Sequence, residues 1–158
     1  MKGILIMFFR KNKKERKEKE RISNVAFGDL VYIDCWQGHS ISSLFGEEEN
    51  IDLYVYVDEE EKNIEEYQEK AYLKYIQSRK EIEEAVRNVI IKEFELSEDF
   101  DFRSRFEVNS IIVTVNGSCG ISIVDYTYNI GHTNCRFVIE TEPEYEFADS
   151  EQYYLETK

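Results

Sequence analysis

Residues 63–95 read NIEEYQEKAYLKYIQSRKEIEEAVRNVIIKEFE, and this stretch decides the fold. Apolar side chains recur at Ile64, Tyr67, Ala71, Tyr75, Ile82, Val86 and Val89, with Tyr72, Ala85, Ile90 and Phe94 widening the stripe. Spacings of three, four and seven put them on one helix face. The opposite face is Glu, Lys, Gln and Arg, good helix formers that stay in water. The spacing predicts one long helix. Run unbroken it would be about 48 Å long at roughly 1.5 Å per residue, enough to overhang a domain of this size. Ser78 with Glu81 matches a capping box and allows a second helix to start there. The stripe keeps its phase through Ser78, so the expectation is a single helix, with a bend near Ser78 as the variant.

Outside this helix the chain reads as short strands. Leu30-Val31-Tyr32-Ile33 is β-branched and aromatic, and Gly38 marks a turn or bulge. Ser40 to Phe45 follows, closed by Phe45-Gly46. In Ile51 to Val57, Ile51, Leu53, Val55 and Val57 alternate with Asp52, Tyr54 and Tyr56, as in a half-buried strand. Beyond the helix, Leu96 to Arg105 is a polar connection carrying Phe100 and Phe102. Ser110 to Val115 and Gly120 to Thr127 flank Asn116-Gly117, whose pairing favours a type I′ hairpin turn with positive φ at both residues. A looser turn at Asn129-Ile130-Gly131 leads into Cys135 to Glu140. Pro143 demotes Glu144 to Phe147 to an edge strand or extended segment. Strands before and after one helix, without βαβ alternation, predict an α+β fold: an antiparallel β-meander, the central helix, and a second antiparallel β-meander packed on it.

The 158 residues fit one domain, and 42% hydrophobic content with 10 Phe and 11 Tyr supports a real core. The net charge of −13 hides an asymmetry. Residues 1–21 hold nine Lys or Arg and three Glu, giving +6, whereas residues 22–158 hold 11 basic and 30 acidic residues, giving −19. The expected organisation is a basic, flexible N-terminal arm over 1–21 and an acidic domain over 22–158. So negative a domain repels nucleic acid and favours a basic protein partner. The arm, with Phe8 and Phe9 beside the run Arg10-Lys11-Asn12-Lys13-Lys14, allows only marginal membrane contact. Its charges follow the apolar run instead of preceding it, unlike a secretory signal, so a cytoplasmic protein with reduced thiols is expected.

Few residues suggest chemistry. Cys35 and His39 with His132 and Cys135 could form a zinc set, but a strand end and a distant turn are poor scaffolds for tetrahedral ligation. No metal or cofactor is expected. A Cys119–Cys135 disulfide fails on register, because a turn near Ile130 sets position 119 opposite a residue near 142. Neither histidine is spaced to activate a thiol, and no P-loop, G-x-S-x-G, H-E-x-x-H or Rossmann glycine pattern occurs. A non-enzyme is expected. Trp36, the single tryptophan, reads as a core or rim residue with partner binding as the alternative.

Three blocks carry a resemblance: Phe27-Gly28-Asp29-Leu30-Val31-Tyr32 through Trp36-x-Gly38 to Leu44-Phe45-Gly46; Ile64 through Gln68, Ala71-Tyr72 and Ile82 to Ile90; and Gly120-Ile121-Ser122-Ile123 through Tyr128-Asn129-Ile130-Gly131-His132. Together they resemble a bacterial family of α+β domains of unknown function, some similar to immunity proteins encoded beside polymorphic toxins. In the third block Tyr128, Asn129, Gly131 and Thr133 stand where that family carries Trp, Asp, Glu and Gly, leaving His132 in common. The resemblance implies a catalytically silent protein-binding domain neutralising a basic, toxin-like partner, with Trp36, Tyr128 and His132 as candidate contact residues. The alternative is a scaffold or housekeeping domain tethered to a membrane surface or acidic partner by its basic arm.

Overall fold

β-Branched and aromatic residues alternate with polar ones along much of the chain, and the strands they form join one sheet. The computed structural model describes residues 18–126 in full, together with the backbone of 133–141 and 151–156. The strands are β1 (Arg21–Asn24), β2 (Gly28–Ile33), β3 (Cys35–Ser42), β4 (Glu49–Val55), β5 (Phe106–Val113), β6 (Cys119–Asp125), β7 (Thr133–Thr141) and β8 (Glu151–Glu156). They lie side by side in chain order. Helices α1 (Glu66–Gln77) and α2 (Arg79–Glu93) fall between β4 and β5. The α+β class expected from the sequence is the class observed.

Two features depart from the expected arrangement. β4 and β5 pair in parallel, Asp52 with Ser110 through Val55 with Val113, while every other neighbouring pair is antiparallel. The two runs of strands therefore fuse into one mixed sheet, and β4–α1–α2–β5 is a βαβ crossover. Parallel strands need a connection of a dozen residues or more, and the helical stretch supplies it. The long helix is also two helices, meeting at Ser78 (φ −110°, ψ 20°). Hydrogen bonds continue on both sides of this joint, Ser78 N–H to Lys74 O at 3.1 Å and Ile82 N–H to Ser78 O at 3.0 Å. One non-helical ψ angle therefore separates the segments without shifting the apolar stripe, and no side-chain cap closes the start of α2.

The helices cover one sheet face. Tyr72, Tyr75, Ile82, Val86 and Ile90 join Leu53, Val55, Ile111, Val113, Ile121 and Ile123 in a single buried cluster. Tyr67 leaves this stripe and is 49% exposed, while Gln68 is buried in its place. The Gln68 amide donates to Tyr56 O at 2.8 Å and Thr114 O at 2.9 Å, and its oxygen accepts Glu65 N–H at 3.0 Å. One side chain thus ties the start of α1 to the ends of the two parallel strands. In β5, a register shift between Val108 and Ser110 reverses the in–out phase. It keeps Phe106, Val108, Ile111 and Val113 all in the core.

Three local expectations are corrected. Gly38 is no turn; the chain reverses at Asp34 (φ 63°), and Gly38 lies inside β3. Its missing side chain makes room for Leu30, since a Cβ there would stand 2.7 Å from Leu30 Cδ2. The β5–β6 turn is not type I′, because Gly117 (φ 86°) has positive φ and Asn116 does not. Gly117 N–H bonds Thr114 O and Thr114 N–H bonds Ser118 O, the pattern of a three-residue loop ending in a left-handed glycine. Sheet structure also reaches into the expected arm: Arg21 opens β1, Glu20 O accepts Tyr32 N–H at 2.9 Å, and the Glu20 carboxylate meets Lys62 at 2.8 Å.

Cys119 pairs with Thr141 and Cys135 with Asp125, at opposite ends of the β6–β7 ladder. The register that separates the two cysteines is the one expected to within a residue. The sequence did not indicate β8. Residues 1–17 of the arm, the turn at Asn129-Ile130-Gly131, and the segment Glu144 to Phe147 lie outside the described residues. Among the described residues no helix is long and apolar enough to cross a membrane.

A candidate binding cleft beside a pinned acidic loop

Between β3 and β4 the chain runs Ser43-Leu44-Phe45-Gly46-Glu47-Glu48, a short loop with Leu44 anchored in the core. Helix α2 grips it. Both carboxylate oxygens of buried Glu83 accept Ser43 N–H, at 3.1 and 3.2 Å. Arg79 donates to Ser43 Oγ at 3.3 Å and to Glu48 Oε2 at 2.9 Å, and Arg87 donates to Leu44 O at 2.9 Å. From the far side Arg103, in the 3-10 turn Phe102–Ser104, donates its Nε–H to Phe45 O at 2.9 Å. Glu83, Arg87 and Arg103 hold the backbone from Ser43 to Phe45 and Arg79 pairs with the Glu48 side chain, so Glu47 and Glu48 follow a held segment and Glu49 opens β4.

Beside this loop lies a cleft of about 190 Å³ lined by Phe45, Glu49, Arg103, Phe106, Glu107 and Tyr126. Phe45 stacks on Phe102 at 5.3 Å between centroids, with 13° between ring planes. Tyr126 donates its hydroxyl to Glu107, and that bond raises the phenol pKa above its ordinary value. Behind the cleft Arg105 makes a two-pronged ion pair with fully buried Asp125, at 3.0 and 2.9 Å. Its guanidinium lies 4.7 Å from the Phe94 ring centre and 5.0 Å from that of Phe106. Paired charges and hydrogen bonds are what make such burial tolerable. The lining offers two carboxylates, one guanidinium and an aromatic wall, a set suited to holding a cation against rings.

A second cleft of about 280 Å³ lies between α1 and the β5–β6 turn, lined by Tyr67, Lys70, Ala71, Lys74, Asn116 and Gly117. Tyr67 donates its hydroxyl to Val115 O at 2.7 Å across it. Deeper in, Tyr72 and Ser40 share a hydrogen bond at 2.8 Å, and the Tyr75 hydroxyl has no partner among the described residues. Burial raises the pKa of both phenols and pushes the Cys119 thiol up to about 12.

Of the residues singled out from sequence as partner contacts, Trp36 lies among the described residues and lines neither cleft. Trp36 is 3% exposed, its indole N–H donated to Lys62 O at 2.9 Å and its ring edge-on to Tyr32. Tyr128 and His132 lie outside the described residues. Cys35 is buried and His39 exposed on β3, while His132 and the Cys135 side chain are not described. Among the described residues no three His, Cys, Asp or Glu side chains are placed to hold a metal. The acidic turn expected from Glu47 to Asn50 is shifted: the turn itself spans Ser43 to Glu48, and Glu49 and Asn50 already belong to β4. Arg103, Glu107 and Tyr126 carry no motif, and only the fold brings them to Phe45 and Glu49. Comparison of this chain with models of protein families, with curated proteins and with solved structures found no match.

Proposed function

We propose that this protein is a non-catalytic protein-binding domain of the immunity type, acting in the cytoplasm to neutralise a basic, toxin-like partner through its acidic surface. The observation that carries the reading is the pinned β3–β4 loop, which presents Glu47, Glu48 and Glu49 beside a backbone held by Arg87, Arg103 and Glu83, with Arg79 paired to the Glu48 side chain. A surface ordered beforehand loses little conformational freedom on binding. The −19 charge of residues 22–158 adds long-range attraction for a cationic partner.

The test captures basic proteins with the full chain as bait and measures the association of each with it. Association is expected to be fast at 0.01 M salt and to slow steeply by 0.15 M, as the Debye length contracts from about 30 Å to about 8 Å. Glu47→Gln with Glu48→Gln should lower the association rate several-fold. Binding indifferent to salt and to these substitutions would refute the proposal. Binding that disappears when residues 1–17 are removed would assign recognition to the arm and favour a tethered scaffold.

A further inference from the structure

We infer that the cleft formed by Phe45, Glu49, Arg103, Phe106, Glu107 and Tyr126 receives one arginine side chain of the basic partner. The inference rests on the proposed function and names the chemistry by which that partner is recognised.

Size comes first. About 190 Å³ suits a single long side chain better than a helix or a nucleotide. Charge comes second. Glu49 and Glu107 outnumber Arg103, and Arg103 is tied through its Nε–H to Phe45 O on the loop side. Glu107 accepts the Tyr126 hydroxyl on one oxygen, and a carboxylate retains acceptor capacity beyond one such bond. An anionic ligand would face two carboxylates, whereas a cation completes the set.

Shape separates arginine from lysine. The aromatic surface open to the cleft comes from Phe45, stacked on Phe102, and from half-exposed Tyr126, while Phe106 is buried beneath. A planar guanidinium lies flat on such rings and offers several donors in a fork, while an ammonium is a compact, strongly hydrated point charge. The protein already makes this kind of contact, with the Arg105 guanidinium 4.7 Å from the Phe94 ring centre and 5.0 Å from that of Phe106.

The probe is N-acetyl-arginine amide, titrated into the full-length 15N-labelled protein and followed by amide chemical shifts. The lysine and citrulline analogues serve as comparisons. Saturable shifts at Phe45, Glu49, Glu107 and Tyr126 are expected, at least fivefold weaker with the lysine probe and absent with citrulline. The variant carrying Glu49→Gln and Glu107→Gln should bind the arginine probe at least fivefold more weakly, with Glu84→Gln on the exposed side of α2 as an unaffected control. The spectrum of each variant reports its folding directly. Equal response to arginine and lysine, shifts centred elsewhere, or no loss in the double variant would overturn the inference. Failure here with a salt-sensitive basic partner still bound would leave the proposed function standing. Arginine binding in the cleft without any such partner would refute the function and keep the cleft.

Discussion

Replacing Gln68 probes the tie between helix and sheet with a signature that simple loss of packing does not reproduce. The side chain is 1% exposed and makes three hydrogen bonds, two donated to Tyr56 O and Thr114 O and one accepted from Glu65 N–H. Gln68→Met keeps length and approximate volume but leaves those groups without their partner. A buried unsatisfied group costs about 1–3 kcal/mol. Tyr56 is 44% exposed, so water can repair part of the loss there. The net expectation is about 2–4 kcal/mol, a large share of the roughly 5–15 kcal/mol that holds a domain together. Gln68→Glu should be worse at pH 7. It retains the acceptor for Glu65 N–H but turns an anion toward two carbonyl oxygens. Lowering the pH should restore part of that stability, because a protonated carboxyl can donate to one carbonyl, whereas Gln68→Met should gain nothing comparable. Urea unfolding followed by circular dichroism at pH 7 and pH 5 measures all three proteins. A Gln68→Glu variant as stable as Gln68→Met at pH 7 would refute the assigned bonding.

Val86 is wholly buried on the sheet-facing side of α2, so Val86→Asp should cost several kcal/mol, and a near-normal urea midpoint would show that the face is misassigned. Gly117→Ala combines positive φ with a Cβ only 2.6 Å from Tyr67 Cδ2 and should destabilise by about 1–3 kcal/mol; the cost measured in a Tyr67→Ser background should be smaller, and strict additivity would argue against the clash. Burial holds the Cys119 pKa up near 12 in the fold, against about 8.5 when unfolded, so the unfolded chain releases this proton first. Stability is therefore full below about pH 8 and falls as pH rises toward 12, by up to about 1.4 kcal/mol per unit, with Tyr75 acting in the same direction at higher pH. Cys119→Ala should flatten the profile between pH 8 and 10, and an unchanged slope would remove the thiol from the account.

Much of the fold was legible because the signals were local. The alternation through Ile51, Leu53 and Val55 and the stripe through Tyr75, Ile82, Val86 and Ile90 each report one buried face, and those faces are buried. The parallel pairing was not legible, since no local pattern records that β4 and β5, separated by both helices, become neighbours. Gly38 misled because a glycine that makes room for Leu30 looks in sequence like one that makes a turn. Gln68 was hidden for the same kind of reason: a polar residue is assigned to water until three partners surround it. At the cleft, Phe45-Gly46 was legible as the end of a strand, while Glu49 opens β4. Glu107 and Tyr126 are ordinary residues that acquire meaning only through the β5–β6 register, in which Phe106 pairs with Asp125.

The single parallel pairing has a kinetic consequence. Every antiparallel ladder joins strands that are neighbours in sequence, so each can zip from its own turn or short connection. β4 and β5 cannot, because Asp52 and Ser110 are more than fifty residues apart and must close that span before any bond between them forms. Closure entropy is spent before the contacts it enables. The two sets of strands should thus gather early and the seam between them late, with Gln68 locking it from α1. Substitutions at the seam should mainly accelerate unfolding, while those within the hairpins should mainly slow folding.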